Sequence, residues 1–225
     1  IKACLNTAGR GVFKNVQDSR IGKTKLFFED KEKFFTQLIK EIKALHRKAD
    51  REGLITVIRL NGTSDILWES IFFDVDKFEG VSISKEGEFN IFTFSSHIQF
   101  YDYSKIDSRF NASLPANYHL TFSVTENNYH KAMELIAVGF NISIVFRDIP
   151  AKKHLNFSEL FFITSTFFKL NKVALMKKYP VINGDETDLR FLDRQKIVTG
   201  KGLIVALKAK GKARKDTSGF VFDLS

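Results

Sequence analysis

Four strand-like segments of the sequence each run directly into a group of polar and charged residues. The apolar parts of these segments end at Leu60, Tyr101, Phe122 and Ile182. Because the carboxyl ends of parallel strands meet at one edge of a sheet, the polar groups are expected to gather there and form a site. The residues of this candidate site are Arg59, Asn61, Ser64, Asp65, Tyr101, Asp102, Tyr103, Lys105, Ser123, Asp185, Asp188, Arg190, Lys208 and Lys210.

Arg59 is the strongest single indication of a site, because it stands in an otherwise apolar stretch. A buried charge is costly unless it has a partner, so Arg59 is expected to meet a carboxylate or an anionic ligand. Gly62 permits close approach of a ligand to the backbone, and Ser64 and Asp65 add a donor and an acceptor. A loop in which Asp65 caps the next helix is the alternative, but it does not explain Arg59.

The segment 101–105 places the carboxylate of Asp102 between two aromatic rings. Asp102, with Lys105 three residues further on, has the chemistry of a general base or a nucleophile. Tyr101 and Tyr103 have rings that can stack on a base or a sugar. The alternative is a structural pair of Asp102 and Lys105 with both tyrosines packed in the core, and the two interpretations have equal weight.

The segment 185–193 contains four acidic residues, enough to attract Mg²⁺ or Mn²⁺. It lacks the ligand pattern of a calcium loop, and a solvated acidic turn with an internal Asp–Arg pair is the favoured interpretation. The five histidines have no metal-ligand spacing, and the single cysteine, Cys4, cannot make a zinc site. We therefore assign no metal ligands and leave the cofactor open, with Mg²⁺ as the ion considered.

Two basic stretches complete the candidates. Residues 20–25 contain Gly-Lys-Thr, but Gln17 occupies the position of the first glycine of a P-loop and no strand precedes it, which excludes a nucleotide triphosphatase loop. Residues 208–215 contain five cations, which can track a phosphate backbone or hold a single phosphate. A flexible solvated tail is the alternative, and the apolar residues at 219–222 count against it.

The composition favours a globular protein with anionic partners. With 225 residues, 44% of them hydrophobic, the chain can bury a substantial core. The formal charge of +9 favours nucleic acid as the partner, although lysines that only keep the surface soluble are an equal alternative. The lone Cys4 suits a reducing compartment, and no membrane span is expected because no run of about 18 apolar residues occurs. Since the sequence begins with Ile1 rather than with methionine, we expect it to be a trimmed part of a longer protein. Whether a signal peptide has been removed is left open by the sequence.

The elements that must position these groups alternate between strands and helices. Helices are predicted over 30–53, with Asp30 as the cap and Gly53 as the stop, and over 68–78, 127–138 and 157–178. Strands are predicted at 55–60, 100–101, 118–124, 142–146, 181–182 and 197–207. Residues 1–26 are predicted to be an irregular basic segment, and 80–97 an inserted hairpin.

Strongly apolar strands between helices predict a parallel sheet that is covered by helices. We therefore expect one α/β domain over residues 1–225. Its predicted architecture is an incomplete or irregular TIM-like barrel of about six mainly parallel strands, with an open doubly wound α/β sheet as the alternative.

The same segments, in the same order, resemble a tailed-bacteriophage protein family of unknown function described as gene-product-88-like. The resemblance covers nearly the whole chain and implies a phage origin and a location in the host cytoplasm, but no established reaction. The chain departs from the family pattern in a stretch inserted before Phe100, an expanded segment at 151–178 and few cysteines near its start. The last departure counts against an iron–sulfur role, because one thiolate cannot hold a cluster. The segments that carry the resemblance are 59–66 with Trp68 and Glu69, 100–103, 117–123, 184–193 and 207–211.

The leading functional hypothesis is a phage enzyme that acts on nucleic acid or on a nucleotide-like, phosphate-bearing substrate. Arg59, Lys208 and Lys210 would hold phosphate, and Asp102 or Asp65 would act as acid, base or nucleophile. The alternative is a non-catalytic nucleic-acid-binding or host-interaction protein on the same scaffold, with salt-dependent affinity and no turnover. An enzyme is expected to bring Asp65, Asp102 and Asp185 together around a buried Arg59. The oligomeric state stays open.

Overall fold

A short 3-10 helix and two long α-helices begin the described part of the chain, and a mainly parallel sheet follows. The computed structural model describes residues 8–74, 88–151, 154–155, 179–196 and 202–223. The α-helices in these ranges are α1 (Lys14–Glu29), α2 (Lys31–Arg51), α3 (Ile91–Phe94) and α4 (Tyr129–Ala137). Short 3-10 helices lie at Gly9–Val12, Trp68–Ser70, Asp107–Phe110, Arg190–Lys196 and Gly211–Lys215. The strands are β1 (Val57–Ile58), β2 (Phe73–Asp74), β3 (Glu88–Phe89), β4 (Gln99–Ser104), β5 (Tyr118–Ser123), β6 (Ile142–Phe146), β7 (His154–Leu155), β8 (Tyr179–Asn183), β9 (Ile204–Lys208) and β10 (Val221–Phe222).

The main sheet is parallel except at one edge. Its strand order is β1-β4-β5-β6-β9-β8-β7, and only the β7–β8 pair in this order is antiparallel. The separate β2–β3 pair is also antiparallel. The predicted α/β class with a mainly parallel sheet is therefore confirmed. Among the described residues no ladder joins β1 to the other end of the order, so the strand pairing is that of an open sheet.

One side of β6 is shared by two strands. β5 pairs with Ile142 and Ser143 at its start, whereas β10 pairs with Val145 and Phe146 at its end. β9 lies along the whole of the other side of β6 and ends at Lys208. The chain that leaves β9 must therefore turn at the carboxyl edge of the sheet before it returns as β10.

Alternation along β4 divides its side chains between the two faces of the sheet. Phe100 and Asp102 share one face with Tyr118 of β5, and the alternate residues Tyr101 and Tyr103 point to the other. The first face packs into the main hydrophobic core with residues of α2, α3 and α4. The 3-10 helix Arg190–Lys196 contacts β4 and β5, and the ring of its Phe191 lies 6.2 Å from that of Tyr101.

Helix α2 follows the sequence prediction. Asp30 caps it by accepting a hydrogen bond from the amide of Lys33 at 2.9 Å, and Gly53, with φ of 65°, follows its last turn. Its buried face carries Phe35, Ile39 and Ile42. The apolar stripe was therefore a sufficient signal here, because it corresponds to a face that is buried against the core.

The prediction of an irregular segment over residues 1–26 is wrong from Lys14 onward, where α1 begins. Periodicity missed this helix because α1 is largely exposed, and Phe27 is its buried residue. An exposed helix needs no apolar stripe, and its lysines, arginine and glutamine are good helix formers.

The predicted helix over 68–78 is also wrong in its described part. One 3-10 turn at Trp68–Ser70 is followed by the strand β2, and residues 75–78 lie outside the described residues. Trp68 packs against Phe27, Phe34 and Phe35, so the apolar spacing that suggested a helix serves aromatic packing instead.

The inserted hairpin predicted at 80–97 is replaced, where it is described, by β3 and α3. β3 pairs with the earlier strand β2 rather than with a strand inside the segment. Asn90 then caps α3 by accepting hydrogen bonds from the amides of Phe92 and Thr93. Residues 80–87, the predicted helix 157–178 and the start of the predicted strand 197–207 lie outside the described residues.

Candidate functional site

Asn61 organises the loop that follows β1. Its Oδ1 accepts hydrogen bonds from Ser64 Oγ at 2.8 Å, from the amide of Ile66 at 3.0 Å and from Trp68 Nε1 at 3.0 Å. Its Nδ2 donates to the carbonyl of Ile66 at 3.0 Å, and the residue is buried. The polar atoms of Asn61 that were expected to bind substrate are therefore engaged within the loop.

Asp102 lies at the carboxyl half of β4 and is fully buried on the helix-covered face. Its Oδ1 accepts from the amide of Asn61 at 2.8 Å, and its Oδ2 accepts from the hydroxyl of Tyr118 at 2.9 Å. Burial raises the pKa of Asp102 to about 6, and these two hydrogen bonds act in the opposite direction. Asp102 thus joins β1, β4 and β5 from inside the protein.

Arg109 links this carboxylate to two others. Its Nε and Nη2 donate to the two oxygens of Glu69, both at 2.7 Å, and its Nη1 donates to Asp65 Oδ1 at 2.8 Å. Nη2 also donates to the hydroxyl of Tyr118 at 2.8 Å. The Arg109 side chain is 1% exposed, so the buried network consists of one cation and three carboxyl groups joined through a phenol.

Asp65 connects the loop after β1 to the end of β4 through hydrogen bonds. Its Oδ2 accepts from the backbone amide of Lys105 at 2.7 Å, while its Oδ1 is held by Arg109. Asp65 is therefore a cross-link between strands. Lys105 takes part through its backbone, and its side chain is exposed.

A second cluster forms around Asp188, in the loop after β8. Its Oδ2 accepts from Arg59 Nη1 and from the hydroxyl of Tyr101, each at 3.1 Å, and its Oδ1 accepts from the hydroxyl of Tyr103 at 3.2 Å. The Arg59 guanidinium also lies 4.7 Å from the centre of the Tyr103 ring. The Asp188 side chain is 54% exposed, so this cluster reaches the surface.

The two tyrosines of the Asp188 cluster are neutral hydrogen-bond donors. Burial, followed by the charge of Asp188, raises the pKa of Tyr101 to about 12. Burial also raises the pKa of Tyr103. Tyr101 and Tyr103 point away from Asp102, because adjacent residues of a strand face opposite sides.

A third cluster surrounds Asp185. Its Oδ2 accepts from the backbone amide of Lys208 at 3.1 Å, and its Oδ1 pairs with Lys210 Nζ at 2.8 Å. The ammonium of Lys208 lies 2.9 Å from Asp148. Within the described part of the chain, no hydrogen bond or ion pair connects Asp185 with the network of Asp65 and Asp102.

Arg190 and Ser123 occupy structural positions. Arg190 is fully buried, donates to the carbonyls of Gly184 and Thr187, and lies 3.3 Å from the Asp193 carboxylate. The predicted Asp–Arg pair in this turn is thus present, but in the interior rather than in solvent. Ser123 ends β5 beside Ser143, and its carbonyl accepts a hydrogen bond from Asn128 Nδ2 at 3.0 Å.

The basic stretch after β9 is an ordered turn, which we call the basic turn and define as residues 208–215. Ala209 and Ala213 anchor it in a small apolar cluster with Val221. Arg147 donates to the carbonyl of Arg214 at 2.6 Å and to that of Asp216 at 3.0 Å. These contacts leave Lys212, Arg214 and Lys215 exposed on a fixed backbone.

Comparison with known proteins assigns the family. A model of the family described as Gene product 88 matches residues 1–224. The chain belongs to this phage gene-product family. The resemblance derived from the sequence segments is therefore confirmed. No curated protein and no solved structure matches the chain.

The described residues of this Gene product 88 protein contain no group of three His, Cys, Asp or Glu side chains placed to hold a metal ion. In the same residues, no helix has the length and apolarity needed to cross a membrane.

Arg109, Glu69 and Tyr118 belong to the buried network, and the sequence analysis did not include them among the candidate site residues. Glu69 belonged to a segment that carried the family resemblance, but nothing in its neighbourhood marks it as a partner of Arg109, forty residues later.

The spacing of Tyr101, Asp102 and Tyr103 did contain a signal that these side chains do not form one site. On one strand, Asp102 cannot share a face with the two rings beside it.

Proposed function

We propose that this phage protein binds nucleic acid through its phosphates in the host cytoplasm, at the carboxyl edge of its parallel sheet. The observation that carries the proposal is the basic turn. Lys212, Arg214 and Lys215 are exposed and have no ion pair among the described residues, and the turn is fixed by Arg147. Phosphate contacts of such cations supply sequence-independent affinity by releasing counterions.

The order of the turn strengthens the expected binding. A flexible tail would lose conformational entropy on binding, whereas a preformed turn has already lost it. Lys208 and Lys210 at the start of the turn are held by Asp148 and Asp185. We therefore assign the main phosphate contacts to the three cations that follow them.

We also infer that the sheet curls into the incomplete TIM-like barrel expected from the sequence. The support is the pair of Arg59 and Asp188, which connects the loop after β1 with the loop after β8 at 3.1 Å. These strands lie at or near opposite ends of the strand order, so a flat sheet would hold the two loops apart. In this arrangement the 3-10 helix Arg190–Lys196 fills the concave face.

An enzyme that acts on the bound nucleic acid is the second candidate, and the Asp188 cluster favours it. Asp188 is a half-exposed carboxylate with two neutral phenols and a guanidinium around it, a suitable set for general acid or base chemistry. Among the four candidate carboxylates, that of Asp188 is the most accessible: its side chain is 54% exposed, those of Asp65 and Asp185 are 27% and 25% exposed, and Asp102 is buried. Catalysis is therefore assigned to Asp188 in preference to those three.

The binding proposal is tested by neutralising the basic turn. The triple variant Lys212→Gln, Arg214→Gln, Lys215→Gln is expected to bind a fluorescein-labelled single-stranded oligonucleotide about tenfold or more weakly, because three phosphate contacts are lost. Fluorescence anisotropy at low salt measures the dissociation constant.

A matched control variant has the same net charge as the triple variant of the basic turn. The variant Lys33→Gln, Lys40→Gln, Arg47→Gln removes three exposed cations from α2 instead, and it should lose much less affinity. Equal losses in the two triple variants would contradict a site at the basic turn. Analysis of the oligonucleotide after incubation separates the two candidates, since an enzyme converts it and a binding protein returns it unchanged.

A further inference from the structure

A small cleft lies between α1 and the loop that follows β1. Its volume is about 220 Å³, and it opens to solvent beside the strand-end edge that carries Asn61 and Asp65. The residues that line it are Gln17, Arg20, Ile21, Thr24, Lys25 and Thr63.

The lining is positive and has hydrogen-bonding capacity. Two of the lining residues, Arg20 and Lys25, are cations, and none of the six is a carboxylate. Thr24 Oγ1 donates to the carbonyl of Arg20 at 2.9 Å, which leaves the oxygen of Thr24 as an acceptor. Such a cleft attracts an anion and repels a metal cation.

Arg20, which lines the cleft, also has an unsatisfied hydrogen-bond donor. Its Nη1 is buried and has no hydrogen-bond partner among the described residues. A buried charged donor without a partner is costly, so a ligand that accepts hydrogen bonds there is favoured. A phosphate fits best, because the planar guanidinium can donate two parallel hydrogen bonds to its oxygens.

The helical spacing explains how α1 supplies this lining. Gln17, Arg20, Ile21 and Thr24 recur at intervals of three and four and share one face of the helix. Gly22 and Lys23 lie inside the same helix, so the Gly-Lys-Thr stretch does not form a phosphate-binding backbone loop. Side chains, rather than backbone amides, would contact the phosphate.

The apolar part of the lining indicates more than an inorganic ion. Ile21 is 53% exposed at the cleft and can pack against a sugar or a base. The cleft is smaller than the roughly 300–1,000 Å³ of sites that enclose a whole small-molecule ligand. It therefore suits one phosphate with the adjoining part of a nucleotide.

We propose that this cleft is a second phosphate-binding site, which takes one nucleotide unit through Arg20 and Lys25. The proposal deepens the nucleic-acid binding proposed above and rests on it where the nucleotide belongs to a strand. A free nucleotide carries the same phosphate chemistry, so the two sources are separated by experiment.

Two probes and two single variants test the cleft. Adenosine 5′-monophosphate is titrated by calorimetry, and a labelled single-stranded oligonucleotide by fluorescence anisotropy. Arg20→Gln is expected to weaken binding of at least one probe about tenfold, whereas Lys23→Gln, an exposed cation of α1 outside the cleft, should change it less than about twofold. Far-ultraviolet circular dichroism checks that α1 stays folded in both variants.

Each result has a defined meaning. Loss of adenosine 5′-monophosphate binding supports a site for a free nucleotide, and loss restricted to the oligonucleotide supports a site for a strand phosphate. Unchanged binding of both probes by Arg20→Gln, or no binding of either by the wild type, overturns the proposal. If the oligonucleotide is lost only in the triple variant of the basic turn and Arg20→Gln binds both probes as the wild type does, the proposed function stands and the cleft proposal fails.

Discussion

Replacement of Arg109 by methionine is expected to lower the free energy of unfolding by about 3–5 kcal/mol. The guanidinium is the only cation in hydrogen-bond contact with both Asp65 and Glu69 among the described residues, and it also donates to Tyr118. Methionine fills a similar volume but leaves both carboxylates without their cation, and the Glu69 side chain is 11% exposed. Urea denaturation followed by circular dichroism measures the change.

Arg47→Met is the matched control for this prediction. Arg47 is exposed on α2, so its replacement should change the free energy of unfolding by less than about 0.5 kcal/mol. A loss below about 1 kcal/mol in Arg109→Met would show that the network contributes little to stability and would contradict its role in joining the strands.

Asp102 is expected to lower the free energy of unfolding as the pH rises from about 4 to about 6. Burial raises the pKa of this carboxyl from 3.8 in the unfolded chain to about 6 in the folded protein. The folded protein therefore keeps a proton that the unfolded chain releases, and ionisation favours unfolding as the pH rises through this window. The shift corresponds to a loss of about 3 kcal/mol, complete above the folded pKa and absent below the unfolded one.

Asp102→Asn isolates this contribution, because asparagine has no ionisable group. Other carboxylates titrate in the same window in both proteins, so their effects cancel in the difference between wild type and variant. Urea denaturation of both proteins at pH 4.5 and pH 7 should give a wild-type stability that falls by more than that of the variant. The same pH dependence in both proteins would show that the pKa of Asp102 is not raised.

The parts of the fold that could be predicted from sequence are those in which a local pattern coincides with burial. The strand at 142–146 was predicted with its observed bounds, because β6 is apolar along its length and lies within the sheet. Helix α2 shows a clear apolar stripe for the same reason. Helix α1 has no such stripe, because most of its surface is exposed, so the sequence carried no periodic signal for it.

The candidate site was predictable only in its general position. Parallel strands placed Arg59, Tyr103, Asp185 and Lys208 at one edge, as the strand ends in the sequence indicated. The partners at that edge depend on tertiary contacts over long distances in sequence, such as that of Arg59 with Asp188, 129 residues later. Propensity and periodicity describe local structure and contain no information on such pairs.

The salt dependence of oligonucleotide affinity tests the central proposal most directly. If the basic turn binds phosphates, the logarithm of the association constant should fall linearly with the logarithm of the sodium chloride concentration. Three contacts to a single strand predict a slope of about −2, and the triple variant of the basic turn should have a slope closer to zero. A wild-type slope near zero, or equal slopes in the two proteins, would contradict phosphate binding at this turn.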